Sequence, residues 1–239
     1  MQKYKLLIYL AVWKRPEITE ICFMGINRLK SLGIHEIEAL AVISEESMIP
    51  ICEKYGIDYC FYKNEPVGEK KNFGLAEAYK KEWDYLIEIG SDDVLRNEYL
   101  EVMSPYFGKH DLLGIGHVLY INSEDGACRR YQTKTSFGCG RAISRKAIQK
   151  VGTKIWSDKL NKGMDNNSNF FLARRGVMEK KVVSSEPLAI DIKGPDNIWP
   201  FNYLIGVPYD LDDALRGLSE EEVNAIRSLI NATVETTNR

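Results

Sequence analysis

Two glycine-rich signatures that bind phosphate groups are missing from this sequence. No G-x-G-x-x-G follows the first apolar segment, and no G-x-x-x-x-G-K-[ST] occurs anywhere in the 239 residues. The first absence argues against a dinucleotide-dependent dehydrogenase, and the second argues against a P-loop phosphotransferase. A nucleotide could still bind through side chains, so nucleotide chemistry itself stays open.

The cysteines favour neither a disulfide framework nor a zinc site. There are five, an odd number, and no two of them have C-x-x-C spacing. They are Cys22, Cys52, Cys60, Cys128 and Cys139. We therefore predict unpaired thiols in a reducing compartment and a cytoplasmic protein.

A large net charge and a long apolar run are also missing. The formal net charge of −2 argues against a dedicated nucleic-acid binder, although a local basic patch and a nucleic-acid substrate stay open. No segment reaches the length that spans a bilayer, so we expect no transmembrane segment. The apolar run at residues 6–13 lacks a small-residue cleavage site, and Lys14 and Arg15 follow it directly. It is therefore interpreted as a first strand rather than a signal peptide.

Strand and helix patterns alternate through the first hundred residues. Strands are predicted at residues 5–12, 38–43, 58–62 and 85–89, and helices at 16–32, 44–56, 69–81 and 97–103. Ser44 is expected to cap the second helix. This order predicts an α/β fold with a Rossmann-like, mixed but mainly parallel sheet flanked by helices. In such sheets, ligands collect at the carboxyl ends of the strands.

After residue 111 the pattern changes. Antiparallel strands are predicted at 112–121 and 127–133, short helices at 144–151 and 165–175, a strand at 177–184 and a loop at 191–199. A capping box of Ser219 and Glu222 begins the last helix. We predict one domain over residues 1–205, with halves at 1–108 and 109–205, and a C-terminal helical extension at 206–239.

The most informative segment is an apolar strand that ends on two adjacent acids, Asp92 and Asp93. An unpaired carboxylate is costly to bury, so acids at the end of a strand usually meet solvent, a metal or a ligand. Their oxygens suit Mg²⁺ or Mn²⁺, and these ions in turn suit a diphosphate. An acidic turn that caps the next helix is the alternative interpretation.

Two further segments carry candidate chemistry. Lys70 and Lys71 stand where a helix begins, a place that favours anions, although they could equally form a solvated face. Asp165 also opens a helix, where it could be either an N-cap or a general base.

These pieces together resemble the GT-A-fold nucleotide-sugar glycosyltransferases, most nearly the large inverting family 2. Residues 70–74, KKNFG, stand where the family has A-R-N-x-G, and Gly90-Ser91-Asp92-Asp93 stands where it often has D-x-D-D. The glycine-containing segment 137–145 is similar to the acceptor-side pattern of the family. Residues 164–174 are similar to its E-D-x-x-L-x-x-R helix, with Asp165 retained. The resemblance covers residues 4–195.

The resemblance implies that a sugar moves from a nucleotide-sugar, such as a UDP-sugar, to a hydroxyl-bearing acceptor of unknown class with inversion. Asp165 would be the catalytic base, and Asp93 and Asp191 would hold Mn²⁺ or Mg²⁺. No histidine follows Asp165, so Asp191 and Lys193 would take the place of the late histidine of the family. The implied nucleotide-sugar contacts are Ala11, Trp13, Arg15, Ser44, Asn64, Lys71, Asn72, Ser91, Asp92 and Lys193.

Two rival functions stay open. A nucleotidyltransferase that acts on sugar phosphates would share the sheet, the carboxylates and the nucleotide, but it normally carries a glycine-rich loop after the first strand. Here that loop reads Trp13-Lys14-Arg15-Pro16 and has no glycine. A binding module without catalytic activity is the other rival, and the presence of Asp92, Asp93 and Asp165 argues against it.

Overall fold

The computed structural model describes residues 2–132, 136–195, 197 and 200–237. Its strands are β1 (Lys5–Val12), β2 (Glu36–Ile43), β3 (Asp58–Phe61), β4 (Tyr85–Gly90), β5 (Asp93–Leu95), β6 (Leu112–Ile115), β7 (His117–Asn122), β8 (Cys128–Gln132), β9 (Arg141–Ser144), β10 (Glu179–Val182), β11 (Ala189–Lys193) and β12 (Val207–Tyr209). Its α-helices are α1 (Pro16–Ser31), α2 (Ile49–Tyr55), α3 (Val67–Tyr79), α4 (Glu98–Met103), α5 (Arg145–Val151), α6 (Met164–Ala173), α7 (Leu211–Leu215) and α8 (Glu220–Thr237).

The main sheet has seven strands in the order β10-β6-β9-β4-β1-β2-β3. β1 pairs in parallel with β2 and β4, β2 pairs in parallel with β3, and β9 runs antiparallel to β4 and β6. Helices cover both faces, because alternate residues of β1 enter different apolar clusters: Leu6 and Ile8 enter one, and Leu7 and Tyr9 enter the other. The predicted mixed, mainly parallel α/β fold is confirmed.

A second, five-stranded sheet in the order β12-β8-β7-β11-β5 lies beside the ligand edge of the first. The chain leaves β4 at Gly90 and enters β5 at Asp93, so Asp92 and Asp93 lie at the junction of the two sheets. β5 pairs antiparallel with β11 in a register that places Asp93 opposite Asp191. The junction therefore brings together two acids that are far apart in the sequence.

Two predictions about the second half of the chain were wrong. The strand predicted at 112–121 is divided at Gly116 into β6 and β7, which belong to different sheets. The loop predicted at 191–199 begins as strand β11, while residues 196, 198 and 199 lie outside the described part. The predicted antiparallel partner of β7 is confirmed as β8.

The C-terminal segment packs against the body of the domain. Its capping box is confirmed, since the Glu222 N–H donates to Ser219 Oγ at 3.2 Å and the Ser219 N–H donates to Glu222 Oε2 at 2.8 Å. Arg28 of α1 forms a 2.7 Å ion pair with Glu222. Residues 206–239 also include strand β12, so the segment is not purely helical, and the division into domains stays a prediction. In the described residues, no helix has the length and apolar character needed to cross a bilayer.

Candidate active site

Three carboxylates meet where the two sheets join. One oxygen each of Asp92, Asp93 and Asp191 lies within 4.8 Å of the other two. The Oδ1 atom of Asp191 is buried and has no hydrogen-bond partner among the described residues. Three hard oxygen donors and an orphaned buried oxygen fit a divalent cation such as Mg²⁺ or Mn²⁺.

Two cations border these carboxylates. Arg15 Nη1 donates to Asp92 Oδ2 at 3.0 Å, and Arg15 Nη2 donates to Ser91 Oγ at 3.1 Å. Lys193 Nζ lies 2.6 Å from Asp191 Oδ2. Lys14 and Arg15 both have a φ of 54°, a left-handed conformation that is uncommon for residues with a side chain and is found more often at functional sites. The loop after β1 thus directs a guanidinium at the acidic cluster.

The charges of the cluster are not fully balanced. Burial and the carboxylates of Asp191 and Asp92 raise the pKa of Asp93 well above its usual range. Burial also raises the pKa of Asp191 to about 6, with Lys193 acting in the opposite direction. Although burial disfavours its charged form, Arg15 and Lys193 hold the pKa of Asp92 below its usual value. The excess negative charge therefore falls on Asp93 and Asp191, where a bound cation would relieve it.

The first of two adjoining cavities, of about 380 Å³, opens on one side of this cluster. Trp13, 39% exposed, forms part of its wall. The predicted contact residues that line it are Ala11, Trp13, Arg15, Asn64, Ser91, Asp92 and Lys193. The fold thus brings together side chains that run from residue 11 to residue 193 in the sequence.

Lys70 also lines the first cavity, although the sequence suggested it only as one of two lysines at a helix start and not as a nucleotide-sugar contact. It is 1% exposed, and its ammonium group donates to the Val12 carbonyl at 2.6 Å and to Asn64 Oδ1 at 3.4 Å. Burial lowers its pKa to about 8. A buried lysine among the contact residues supplies a positive charge beside the loop that follows β1.

The second cavity, of about 290 Å³, is lined by all three carboxylates and also by Asp165. Asp165 opens α6, and no described residue donates a hydrogen bond to its carboxylate. A Cβ at Gly138 would lie 2.1 Å from Asp165 Oδ1, so only glycine allows the carboxylate its present position. A carboxylate that lines a cavity can accept a proton from a bound hydroxyl.

A buried ionic network forms the floor of the second cavity. Arg141, fully buried, pairs with Glu88, and Glu88 also pairs with Lys71. Arg141 Nη1 donates to Asn169 Oδ1 at 2.6 Å and to the Asp165 carbonyl at 3.3 Å. Although burial favours the neutral form of Glu88, Arg141 and Lys71 hold its pKa below the usual value. The network fixes the start of α6. In the sequence, the only sign of this network is a glutamate inside an apolar strand.

Three residues that were predicted to contact the nucleotide-sugar do not line the first cavity: Ser44, Lys71 and Asn72. Lys71 lines the second cavity, but its ammonium pairs with Glu88 and lies 4.7 Å from the Trp156 ring centroid. The Asn72 amide is buried and bonds to the Trp156 carbonyl and to Asp158. Ser44 does not cap α2, and neither Ser44 nor Asn72 is among the described residues that line the two cavities.

The start of α3 does not offer the anion site that the sequence suggested. The Val67 N–H donates to Asn161 Oδ1 at 2.9 Å, and the Gly68 N–H donates to the Leu160 carbonyl at 2.9 Å. A Cβ at Gly68 would lie 1.9 Å from the Ser157 carbonyl oxygen, so this close packing requires glycine. The helix start therefore holds the 157–161 loop at the rim of the cavities rather than a phosphate.

Comparison with known proteins identifies the fold. No family model matches the chain, and no curated protein matches its sequence. TarS 1-349 from S. aureus in complex with UDP-GlcNAc is 13% identical, with 96% of this chain and 71% of that chain covered and a TM-score of 0.53. The mannosyltransferase PcManGT from Pyrobaculum calidifontis in complex with GDP-Man and Mn²⁺ is 10% identical, with 98% and 76% covered and a TM-score of 0.54.

A third neighbour has a different activity. The inositol-1-phosphate CTP transferase from T. maritima is 10% identical, with 91% of this chain and 98% of that chain covered and a TM-score of 0.53. In another structure of TarS 1-349, the match covers only 60% of the length of the TarS chain. Identities this low establish a shared fold and leave activity open. The chain has the GT-A fold of nucleotide-sugar glycosyltransferases, as predicted.

Proposed function

We propose that this protein is a glycosyltransferase that moves a sugar from a nucleotide-sugar, a UDP-sugar in the simplest case, to an acceptor hydroxyl. The observation that carries the proposal is the position of the three carboxylates between two cavities. The first cavity offers an exposed tryptophan and cations, as a nucleotide diphosphate requires. The second contains the carboxylate of Asp165, to which no described residue donates a hydrogen bond, as an acceptor hydroxyl requires.

Asp93 and Asp191 are proposed to hold Mn²⁺ or Mg²⁺, which would stabilise the negative charge of the leaving diphosphate. Arg15 keeps Asp92 ionised and in place, so Asp92 is free to contact the nucleotide through its other oxygen. Lys193 supplies further positive charge beside the carboxylates. The proposed nucleotide contacts are Ala11, Trp13, Arg15, Asn64, Ser91, Asp92 and Lys193. Ser44, Lys71 and Asn72 are left out because of their surroundings.

Asp165 is proposed to remove the proton of the acceptor hydroxyl as that oxygen attacks the anomeric carbon. Gly138 leaves space for its carboxylate, and Arg141 holds the first turn of α6 through the Asp165 carbonyl. One base on the face opposite the leaving group, with no nucleophile that forms a covalent intermediate, gives inversion.

Nucleotidyl transfer is the second candidate, and the similarity to the CTP transferase favours it. Against it stands the loop after β1, where Trp13, Lys14 and Arg15 replace the glycines that would surround a triphosphate. The reaction products separate the two activities. A glycosyltransferase releases a nucleoside diphosphate from a UDP-sugar, whereas a nucleotidyltransferase forms pyrophosphate from CTP or UTP and a sugar phosphate.

The test combines this product assay with Asp165→Asn. The variant should bind UDP with Mn²⁺ as tightly as the wild type in calorimetry, because Asp165 lies in the second cavity. It should lose transfer about 100-fold or more, the usual size of a general-base contribution. Asp212→Asn, at an exposed position of α7, is the matched control and should behave as the wild type. Pyrophosphate release, or failure of the wild type to bind UDP, would reject the proposal.

A further inference from the structure

The basic residues of this chain are concentrated in one segment. Residues 141–182 contain eleven of the 32 Lys and Arg residues of the chain but only three of the 34 Asp and Glu residues. The segment spans α5, α6 and β10, and the start of α6 lines the second cavity. A protein with a formal net charge of −2 therefore carries a strongly positive region beside the proposed acceptor site.

Several exposed cations of this region have no acidic partner among the described residues, although Lys154 pairs with Asp158 and buried Arg141 pairs with Glu88. Exposed Lys5, Lys54 and Lys80 each form a salt bridge with a glutamate. The exposed cations that form no salt bridge with any described residue are Lys150, Lys159, Lys162, Arg174 and Arg175. Like charges without partners repel one another, so a group of them complements an anionic ligand.

One of these cations lines the second cavity, and the others lie along α6. Lys162 lines both cavities and comes two residues before α6 begins. Asn167 of α6 accepts a 2.8 Å hydrogen bond from the Ser157 N–H, which fixes the loop with Lys159 beside the helix. At the far end of the helix, Lys150 Nζ donates to the Gly176 carbonyl at 3.4 Å. The cations thus border α6 along about 15 Å, since a helix rises about 1.5 Å per residue.

An aromatic side chain lies between the two ends. Phe170 is 62% exposed, and the Arg174 guanidinium lies 5.2 Å from the centroid of its ring. Phe170 stands five residues after Asp165 on α6, and Arg174 stands four residues further on. We call Lys150, Lys159, Lys162, Phe170, Arg174 and Arg175 the α6 basic surface. It offers an apolar ring for a carbon chain or sugar and guanidinium groups for anionic oxygens.

We propose that the acceptor is a polyhydroxylated chain that carries phosphate or carboxylate groups and lies along the α6 basic surface, with one hydroxyl at Asp165. The inference rests on the proposed function and names the acceptor class for it. The leaving diphosphate does not account for this charge, because Arg15, Lys70 and Lys193 already face the first cavity. The surface is also longer than a single sugar, which fits an acceptor with several units.

The test uses the full chain with four probes of matched length: a glycerol phosphate oligomer, an oligogalacturonate, a neutral dextran oligomer and single-stranded DNA. Binding is measured by calorimetry at low salt for the wild type and for Lys159→Glu/Arg174→Glu. The matched control is Lys3→Glu/Lys109→Glu, which makes the same change of charge at exposed lysines away from α6. A separate titration with UDP and Mn²⁺ tests the proposed function.

One of the two anionic oligomers should bind at least about tenfold more tightly than dextran, and more weakly as salt increases. The α6 double variant should lose about tenfold or more of this affinity, because two attractive contacts become repulsive, and the control should change it less than about twofold. The preferred oligomer identifies the anionic group as phosphate or carboxylate.

Equal binding of dextran, no binding of either anionic oligomer, tightest binding of DNA, or no effect of the α6 double variant would each overturn the inference. A wild type that binds no UDP would instead reject the proposed function. A wild type that binds UDP but shows no preference for the anionic oligomers rejects the acceptor class alone.

Discussion

Replacing Asp93 with asparagine tests whether its carboxylate binds a metal ion or stabilises the fold. Asparagine keeps the shape of the side chain, and its oxygen can still accept the hydrogen bond that the Gly90 N–H now donates to Asp93 Oδ2. The substitution removes one of three negative charges that lie within 4.8 Å of one another. The stability of the metal-free protein should therefore increase rather than decrease.

The size of the effect follows from Coulomb's law. Two like charges about 4.8 Å apart repel by about 3.5 kcal/mol at an effective dielectric constant of about 20. Because the raised pKa of Asp93 lets the wild type bind a proton instead, the gain is smaller than the sum of two such repulsions. We expect about 1 to 3 kcal/mol, which is about 2 to 12 °C in Tm for a chain of this size.

Asp92→Asn is the matched control, with the opposite expected sign. Arg15 and Lys193 stabilise the charged form of Asp92 and keep its pKa low. Losing that charge removes an ion pair at 3.0 Å and leaves Arg15 without its carboxylate partner. Asp92→Asn should therefore lower the Tm of the metal-free protein, although it differs from Asp93→Asn by a single position in the chain.

The assay is thermal denaturation at pH 7, with chelator and then with Mn²⁺. A ligand at about 100 times its Kd stabilises the folded state by about 2.7 kcal/mol. The Tm of the wild type should rise with Mn²⁺, that of Asp93→Asn should barely change, and the order of the two proteins should reverse. A metal-free Asp93→Asn that melts below the wild type, or that responds to Mn²⁺ as the wild type does, would refute this account of the cluster.

Three further outcomes are expected. Mn²⁺ affinity in calorimetry should fall as the pH drops through about 6, because the raised pKa of Asp191 lets a proton compete with the metal at that carboxylate. An affinity that does not change between pH 7 and pH 5 would contradict this expectation. Gly138→Ala should reduce transfer about tenfold or more with unchanged UDP affinity, because its Cβ would displace the Asp165 carboxylate, and normal transfer would contradict the role of Asp165. Arg141→Met should lower the free energy of unfolding, measured with denaturant, by about 3 to 5 kcal/mol. Adding Glu88→Gln should restore part of this loss, whereas additive losses would argue against the buried pair.

The parts of the fold that local patterns specify could be predicted from the sequence. The strand predicted at residues 5–12 matches β1 residue for residue, because both faces of the strand are covered and the positions after Lys5 are apolar. Pro16 begins α1, and Gly56 ends α2 in a left-handed conformation. Asp92 and Asp93 could be assigned to the ligand edge because a charged pair at the end of a buried strand has few other locations.

Contacts between distant segments could not be predicted in this way. Glu88 and Arg141 are 53 positions apart and meet only because β4 pairs antiparallel with β9, in a register that places them opposite each other. Lys70 was interpreted as part of a helix start, yet the packing of α3 against β1 buries it against the Val12 carbonyl. In both cases the residue type was visible, but its partner depended on strand order and register.

Asp191 shows why the third carboxylate was the hardest to place. The segment 189–193, AIDIK, alternates as a strand does, but Gly194 and Pro195 follow it and favour a loop. Its position opposite Asp93 depends on the pairing of β11 with β5, two short strands almost a hundred residues apart. Like charges directly opposite each other on adjacent strands destabilise a sheet. A chain that keeps buried Asp93 opposite half-buried Asp191 is best explained by a cation that binds between them, since Asp191 Oδ1 has no partner among the described residues.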